Sequence, residues 1–301
     1  MSKSIISIVG PTGIGKTDLS IFLAKSLKSE IISADSRQFF KEIPIGTAAP
    51  SKNELNQIKH HFIHNKSIKE NYSVGEFEME ALSKIKILHE KYNTLIVVGG
   101  SGLYINSILH GLDNFPKIDS KIRMELNKDL KDNGIEFLQN ELKNNDALSY
   151  SKIDIKNPHR LIRALEIFRG TGSKYSSFIN NSKKQKRKFK IINIGLTADR
   201  KIIYERINKR VDNMIENGLI KEAKMVYKHK DLNALKTVGY KELFEYLSGK
   251  CTLDKAIDEI KKNTRRFAKR QITWFKKQEN TTWFDYKEPY KNVLLHVKNK
   301  F

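Results

Sequence analysis

Cysteine is almost absent from this sequence, and long apolar runs are missing. The only cysteine, Cys251, has no partner for an internal disulfide, so a disulfide-stapled scaffold is excluded. No apolar run reaches the roughly 18 residues of a membrane span. The start, Met1–Ser4, leads directly into a short apolar segment without the layout of a signal peptide. We therefore expect a cytoplasmic protein that does not enter a membrane.

Acidic residues are also few compared with basic ones. Lys plus Arg total 56 against 34 Asp plus Glu, which gives a formal net charge of +22. This charge exceeds what solubility requires and favours a polyanionic partner such as nucleic acid. A composition rich in Lys, Ile and Asn can also reflect the base composition of a genome, so charge alone leaves both explanations open.

Apolar segments alternate with helical patterns in the first third of the chain. Ile5–Val9 predicts a strand and Asp18–Leu27 a helix, and Glu30–Ala34 and Thr94–Val98 predict two further strands. Such alternation indicates an α/β fold, in which a parallel sheet is flanked by helices and functional groups gather at the carboxyl ends of the strands.

From about residue 114 the pattern becomes helical and charged, and a buried strand returns at Ile191–Leu196. We therefore predict a helical insertion domain over residues 114–189, which contacts the polyanionic partner. The α/β core is then discontinuous and consists of residues 1–113 and 190–301.

Two long amphipathic helices are predicted after the returning strand, over Asp199–Tyr227 and Leu253–Lys277. The second carries a run of cations that we expect to follow phosphates. Its aromatic residues are predicted to anchor it in the core. The cations are Lys261, Lys262, Arg265, Arg266, Lys269, Arg270, Lys276 and Lys277, and the aromatic residues are Phe267, Trp274 and Phe275. For a separate basic run, Lys183–Lys188, RNA contact and a solvated linker are equally open.

A phosphate-binding loop follows the first predicted strand. The spacing G-x-x-x-x-G-K-[ST] is met between a predicted strand and a predicted helix, which makes the sheet P-loop NTPase-like. Backbone N–H groups of such a loop converge on a phosphate, the lysine adds a cation, and the hydroxyl of Thr17 can ligate Mg²⁺, the expected cofactor. The predicted diphosphate-binding residues are Gly10, Pro11, Thr12, Gly13, Ile14, Gly15, Lys16 and Thr17.

The ends of the other strands decide what this loop is for, because the loop alone predicts only that a phosphate chain binds. The strand Thr94–Val98 ends in Gly99-Gly100-Ser101, whereas an ATPase usually places an acid there. The acid instead follows the second strand, at Asp35. There it can act as a metal ligand, as a general base or simply as a turn cap.

Five sequence blocks resemble the tRNA dimethylallyltransferases, enzymes that transfer a five-carbon prenyl group to N6 of the adenosine next to the tRNA anticodon. The blocks span nearly the whole chain in the family's order, and the sequence is similar to the shorter bacterial type. They are GPTGIGKT from Gly10, DSRQFFKEIPIGTAAP from Asp35, GGSGLY from Gly99, NPHRLIRALEIFRGTG from Asn157 and TVGYKEL from Thr237. Three positions depart from the usual pattern, namely Ile14, Phe40 and Ser101, and Ile14 lacks a hydroxyl beside the diphosphate.

The resemblance implies that the P-loop holds dimethylallyl diphosphate, whose diphosphate is the leaving group, and that Arg210 is a further diphosphate ligand. Asp35 is the expected base, and Ser101 is expected to bond the leaving group or the adenine. An exposed helix arginine and a small turn residue remain the alternative roles of Arg210 and Ser101.

A stacked adenine cannot reach such a site unless it is turned out into a pocket. The resemblance implies tRNA contacts, among which the Gln38 amide would pair with a base edge. The implied contacts are Asp35, Ser36, Arg37, Gln38, Ser101, Arg123, His159, Arg160, Leu161, Ile162, Arg163, Tyr240 and Lys241. For the cations and histidine of the insertion, an ordinary polar helix face is the alternative.

Three other functions stay open: a small-molecule P-loop kinase that uses ATP, a prenyltransferase of free adenine nucleotides, and an RNA-binding protein with a vestigial phosphate site. The insertion and the net charge disfavour the first two. Intact Lys16, Thr17 and Asp35 disfavour the third. The expected partners are thus the anticodon arm of tRNA and dimethylallyl diphosphate, bound by a monomer that has no exposed apolar stripe.

Overall fold

The computed structural model describes residues 3–179, 187–278 and 280–301. The strands of the described chain are β1 Ser4–Val9, β2 Ile31–Ser33, β3 His60–His61, β4 Thr94–Val98, β5 Lys190–Thr197 and β6 Thr281–Asp285. They form one parallel sheet in the order β3-β2-β4-β1-β5-β6. The predicted α/β fold, a P-loop NTPase-like parallel sheet flanked by helices, is confirmed.

The helices separate the strands along the chain. They are α1 Lys16–Ser26, α2 Lys52–Gln57, α3 Val74–Lys91, α4 Gly102–His110, α5 Ser120–Asn145, α6 Ala147–Lys152, α7 Pro158–Thr171, α8 Arg200–Glu216, α9 Leu219–Val226, α10 Tyr240–Leu247, α11 Leu253–Lys276 and α12 Tyr290–Lys298. Within the described residues, no helix combines the length and the apolar character that crossing a membrane would need.

The central strand β1 is buried on both of its faces. Ile6 and Ile8 pack in one apolar layer with residues of α1, α8 and α12, while Ile5 and Val9 pack in another with residues of α3 and α4. Successive side chains of a strand point to opposite faces, so a strand covered on both sides is largely apolar on both, here apart from the small buried residues Ser4 and Ser7. This explains why SIISIV lacks the polar alternation of a half-exposed strand.

The register of the sheet brings three loops to one edge. Ile8 of β1 lies beside Val98 of β4, and Ser33 of β2 lies beside the same Val98. The segments that follow these strands begin with Gly10, Ala34 and Gly99. They therefore leave the sheet side by side, as the carboxyl ends of parallel strands do.

The chain forms two compact units, Met1–Leu109 with Arg187–Phe301, and His110–Lys186. The second unit contains α5, α6 and α7, and α5 is kinked at Gly134. Its own apolar core includes Leu126, Leu138, Leu142, Leu161 and Leu165. The predicted domain boundaries, after residues 113 and 189, lie a few residues later than those of the two units, which are after residues 109 and 186.

Several sequence-based elements differ from the structure. The single helix predicted over Asp199–Tyr227 is wrong, because α8 ends at Glu216 and Gly218, with φ of 97°, separates it from α9. The short edge strands β3 and β6 were not predicted. The part of the basic run at residues 183–186 lies outside the described residues. Its next residue, Arg187, is paired with Glu78 at 2.7 Å, so it is not a solvated linker residue.

Candidate active site

A cavity of about 690 Å³ opens in the first unit, at the edge where the strands end. The P-loop, the segments after β2 and β4, and side chains of α8 and α11 line it. Among the predicted site residues, those lining the cavity are Thr12, Gly13, Ile14, Gly15, Lys16, Thr17, Asp35, Ser36, Arg37, Gln38, Ser101 and Arg210. The fold thus brings the predicted phosphate loop and the predicted base into one cavity.

Lys16 folds back onto its own loop. Its Nζ donates hydrogen bonds to the carbonyl oxygens of Gly10 at 2.9 Å and Pro11 at 2.8 Å. Burial, together with the neighbouring charge of Arg210, lowers the pKa of Lys16 to about 7, and Asp35 opposes this shift. An anionic ligand at this loop would stabilise the charged ammonium of Lys16. Binding of an anion would therefore raise the pKa of Lys16 again.

Arg210 reaches from α8 to the P-loop. Its guanidinium donates to Thr12 Oγ1 at 3.2 Å and to the carbonyl oxygen of Ala48 at 3.3 Å. Burial lowers its pKa. Arg210 is therefore a cation held against the phosphate loop, which contradicts the alternative of an ordinary exposed helix arginine.

Asp35 caps a turn and also lines the cavity. Its Oδ1 accepts the backbone N–H of Arg37 at 3.0 Å, which is a turn-capping bond. Its carboxylate also lines the cavity. Burial raises the pKa of Asp35, while the N–H of Arg37 and the charge of Lys16 act in the opposite direction. A carboxylate with a raised pKa is a stronger base than an exposed one.

Ser101 connects the segments that follow β2 and β4. Its Oγ accepts the backbone N–H of Ser36 at 3.0 Å and donates to Ser36 Oγ at 3.0 Å. Because Ser36 directly follows Asp35, Ser101 holds the residue next to the predicted base. It is thus more than a small residue in a turn.

Gln38 is engaged inside the protein. Its Nε2 donates to the carbonyl oxygens of Ala48 at 3.1 Å and Thr47 at 3.4 Å, and its Oε1 accepts from Ser33 Oγ at 3.3 Å. These bonds hold the segment that contains Thr47 and Ala48, and because Gln38 also lines the cavity, pairing of its amide with a base edge stays a prediction. Arg37 likewise donates to the carbonyl oxygen of Asn233 at 2.9 Å.

Three predicted RNA contacts lie in apolar cores. Tyr240 is fully buried and its hydroxyl donates to Glu222 Oε1 at 2.5 Å. Leu161 and Ile162 are buried in the core of the second unit. A match to a sequence block cannot separate the residues that face a ligand from those that anchor their helix, and so these three are corrected to core residues. Lys241 is exposed, as predicted for a surface contact.

The remaining predicted contacts lie on the second unit. His159 and Arg160 are exposed in the first turn of α7, whose N-cap Asn157 accepts both of their backbone N–H groups. Arg123 and Arg163 are both held by Glu166, at 3.2 Å and 2.8 Å. Arg123 and Arg163 therefore lie together on the second unit.

Among the cavity-lining residues that sequence reasoning missed are Arg206, Lys209 and Gln271. The Nε of Arg206 donates to the carbonyl oxygen of Gly13 at 2.7 Å. Helical spacing from Arg210 could have indicated Arg206, since residues four apart share a helix face. Gln271 carried no such signal.

The aromatic residues of α11 do not all anchor the core. Phe275 is buried, but Phe267 and Trp274 are 38% and 41% exposed, so their predicted role as core anchors is wrong. Some of the cations on this helix are also paired, for example Lys261 with Asp212 at 2.6 Å and Lys262 with Glu259 at 2.7 Å. Of the cations predicted to follow phosphates, the exposed ones are Arg266, Lys269, Arg270, Lys276 and Lys277.

The chain is similar to known proteins over its whole length. A family model described as IPP transferase matches residues 38–278. Proteins named tRNA dimethylallyltransferase from Christiangramia forsetii and Flavobacterium johnsoniae are each 57% identical over 300 residues, covering 100% and 98% of this chain and 99% and 96% of theirs.

Solved structures agree with these sequence matches. The tRNA isopentenylpyrophosphate transferase of Bacillus halodurans superposes with a TM-score of 0.72 at 38% identity, over 99% of this chain and 95% of that one. A eukaryotic dimethylallyltransferase acting on tRNA gives a TM-score of 0.83 at 29% identity, over 100% of this chain and 79% of that one. The resemblance inferred from the five blocks is confirmed, and the chain belongs to the IPP transferase family, that of the tRNA dimethylallyltransferases.

Proposed function

We propose that this enzyme transfers a dimethylallyl group from dimethylallyl diphosphate to N6 of the adenosine next to the anticodon of a tRNA. The products are N6-dimethylallyladenosine in the tRNA and free diphosphate. One observation carries the assignment of the site: a P-loop and a buried carboxylate, Asp35, line the same cavity.

The diphosphate belongs at the P-loop. Lys16, Arg206 and Arg210 bring cations to the loop, and α1 begins there with its N-terminal N–H groups. Within the described residues, Lys16 Nζ donates to backbone carbonyl oxygens. A diphosphate oxygen is a stronger acceptor and would take the place of these carbonyls.

The adenine belongs beside Asp35. As its N6 attacks the allylic carbon, the C–N bond forms and the bond from carbon to diphosphate oxygen breaks. Asp35 takes the proton from N6, and the electron pair of the broken bond leaves with the diphosphate. Negative charge therefore grows at the phosphate end of the cavity, where Lys16 and Arg210 lie.

Magnesium fits the donors of this cavity. Thr17, in the first turn of α1, lines it and supplies a hydroxyl oxygen, and Mg²⁺ commonly uses one or two protein ligands together with substrate phosphates and water. Bound there, Mg²⁺ would neutralise charge on the diphosphate.

The tRNA is proposed to approach as an unstacked anticodon loop. The net charge of +22 suits a phosphate backbone, and α11 exposes cations beside Phe267, which also lines the cavity. We further propose that the enzyme acts as a cytoplasmic monomer.

A labelling assay tests this function. The protein is incubated with Mg²⁺ and labelled dimethylallyl diphosphate, with either tRNA or AMP as acceptor, and transfer of label and release of diphosphate are followed. We expect label on tRNA together with an equal amount of released diphosphate.

Each alternative gives a different result. Label on AMP but not on tRNA would identify a prenyltransferase of free nucleotides. In a parallel incubation with ATP, consumption of ATP without prenyl transfer would support a P-loop kinase. Binding of tRNA without transfer of label would indicate an RNA-binding protein whose phosphate site is vestigial.

A further inference from the structure

Gln271 is a buried polar side chain in the middle of the basic helix α11. It is 5% exposed, and both ends of its amide are bonded to backbone groups. Its Oε1 accepts the N–H of Thr12 at 2.9 Å, and its Nε2 donates to the carbonyl oxygen of Gly100 at 2.8 Å. One side chain thus bridges the P-loop and the segment after β4.

The fit around this amide is tight. A Cβ at position 100 would lie 2.4 Å from Gln271 Nε2, so only glycine leaves space for the bond. The amide also accepts one hydrogen bond and donates another. No single apolar or charged side chain of the same length reproduces both bonds.

The bridge connects the two chemically different ends of the cavity. On one side, Thr12 accepts a hydrogen bond from Arg210 through its own hydroxyl. On the other, Gly100 precedes Ser101, which holds Ser36 next to Asp35. Gln271 therefore lies between the proposed diphosphate ligands and the proposed base.

We propose that Gln271 is a positioning residue for the reaction: it fixes the separation between the P-loop and the segment that holds Asp35. This inference rests on the proposed function. Gln271 acts through Thr12 and Gly100 and does not itself take part in the chemistry. Displacements of about 1 Å between reacting groups can cost about 100-fold in rate, which is the scale on which such a bridge matters.

The test compares two Gln→Met variants of the full-length protein. Gln271→Met keeps the length of the side chain and removes both bonds. Gln278→Met is the matched control, because Gln278 lies just after α11 and its Nε2 bonds Asn106 of α4 at 2.6 Å, away from the P-loop. Binding of inorganic diphosphate with Mg²⁺ is measured by calorimetry, single-turnover transfer with labelled substrate, and tRNA affinity by filter binding.

We expect Gln271→Met to weaken diphosphate binding by about tenfold, the scale of one lost hydrogen bond, and to slow single-turnover transfer by about 100-fold. Its affinity for tRNA should stay within about twofold of the wild type. Gln278→Met should match the wild type in all three measurements.

A second variant, Gln271→Glu, keeps the inference testable if the methionine variant does not fold. A neutral carboxylic acid can accept from Thr12 and donate to Gly100, but a carboxylate can only accept. Relative to wild type at the same pH, diphosphate binding by Gln271→Glu should therefore recover as the pH is lowered. Gln271→Met should show no such recovery.

Two outcomes would overturn the inference. The first is a folded Gln271→Met with wild-type diphosphate affinity and transfer rate, and the second is loss of tRNA affinity alone. Failure of the proposed function can be distinguished from failure of this inference. In the first case the wild-type protein would transfer no label to tRNA, but its diphosphate affinity could still be compared with that of the variants.

Discussion

Two of the buried glutamates, one from each unit, bind different kinds of partner. Glu222 is 3% exposed and accepts the backbone N–H groups of Ile45 and Gly46, each at 2.8 Å, and the hydroxyl of Tyr240. Glu166 is 6% exposed and accepts from two arginine side chains, which themselves remain 46% and 37% exposed. The first carboxylate holds backbone, whereas the second holds flexible cations at a surface.

This difference distinguishes a carboxylate that holds backbone near the cavity from one that pairs with side chains at a surface. The segment that Glu222 holds continues to Ala48, whose carbonyl oxygen accepts from both Gln38 and Arg210 at the cavity. Losing Glu222 would thus loosen the cavity. Losing Glu166 would only release two arginines, which can then pair with phosphates instead.

The largest effect is expected from removing Asp35, the proposed base in the cavity that the Glu222 segment borders. Asp35→Asn keeps the size of the side chain and its turn cap but removes the base, so single-turnover transfer should fall by about 100-fold or more. Affinity for tRNA should change by no more than about twofold. Transfer at the wild-type rate would remove Asp35 as the base.

The second effect is the pH dependence of transfer. Burial raises the pKa of Asp35, and the base works only when deprotonated, so the rate should fall by about tenfold per unit as the pH drops below that raised pKa. Single-turnover rates measured from acidic to neutral pH check this. The fall of the rate at acidic pH should be the same in Glu166→Gln as in the wild type. It should be absent from the residual activity of Asp35→Asn.

The third effect is on stability and tests Glu222 directly. Glu222→Gln places amide hydrogens against backbone N–H groups and should lower the free energy of unfolding by about 2 kcal/mol. Tyr240→Phe removes one of the three hydrogen bonds that Glu222 accepts and should lower the free energy of unfolding by about 1 kcal/mol. Urea unfolding measures both. Equal stability of Glu222→Gln and wild type would show that the segment from Ile45 to Ala48 is held by other contacts.

The smallest effect belongs to the second unit. Glu166→Gln should tighten tRNA binding by about threefold at low salt, because Arg123 and Arg163 lose their carboxylate, and the gain should shrink as salt rises. Filter binding at several salt concentrations measures it. Weaker tRNA binding by Glu166→Gln would mean that Glu166 holds the two arginines in the geometry that RNA requires. Glu166 and Glu222 would then both be positioning carboxylates, and the contrast between them would be wrong.

Strands and loops with strong local signals were predictable. The run TLIVV has the same bounds in the sequence prediction and in the structure, because a strand covered on both faces is marked by a nearly continuous apolar run. The P-loop was equally clear, since its glycines and lysine are required by local geometry. The helix break at Gly218 was missed, because helical periodicity continues on both sides of it.

Edge strands and side-chain partners were less predictable. The strand β6 forms because β5 offers it a free edge, and its sequence TTWFD alone does not require one. Phe267 and Trp274 were placed in the core by residue type. The buried face of α11 instead consists of Ala256, Ile260, Ala268, Gln271 and Phe275, so of its three aromatic residues only Phe275 is buried.

By itself, the sequence determined that this protein has a phosphate loop on a parallel sheet, an acid at a neighbouring strand end, and the ordered blocks of a tRNA-modifying family. These features depend on residues close together in the chain. Only the tertiary structure decided which groups hold the site together, including Gln271 between Thr12 and Gly100, and Glu222 beneath the segment that ends at Ala48. Such bonds join residues far apart in sequence, and no local pattern encodes which distant backbone group a buried amide or carboxylate will meet.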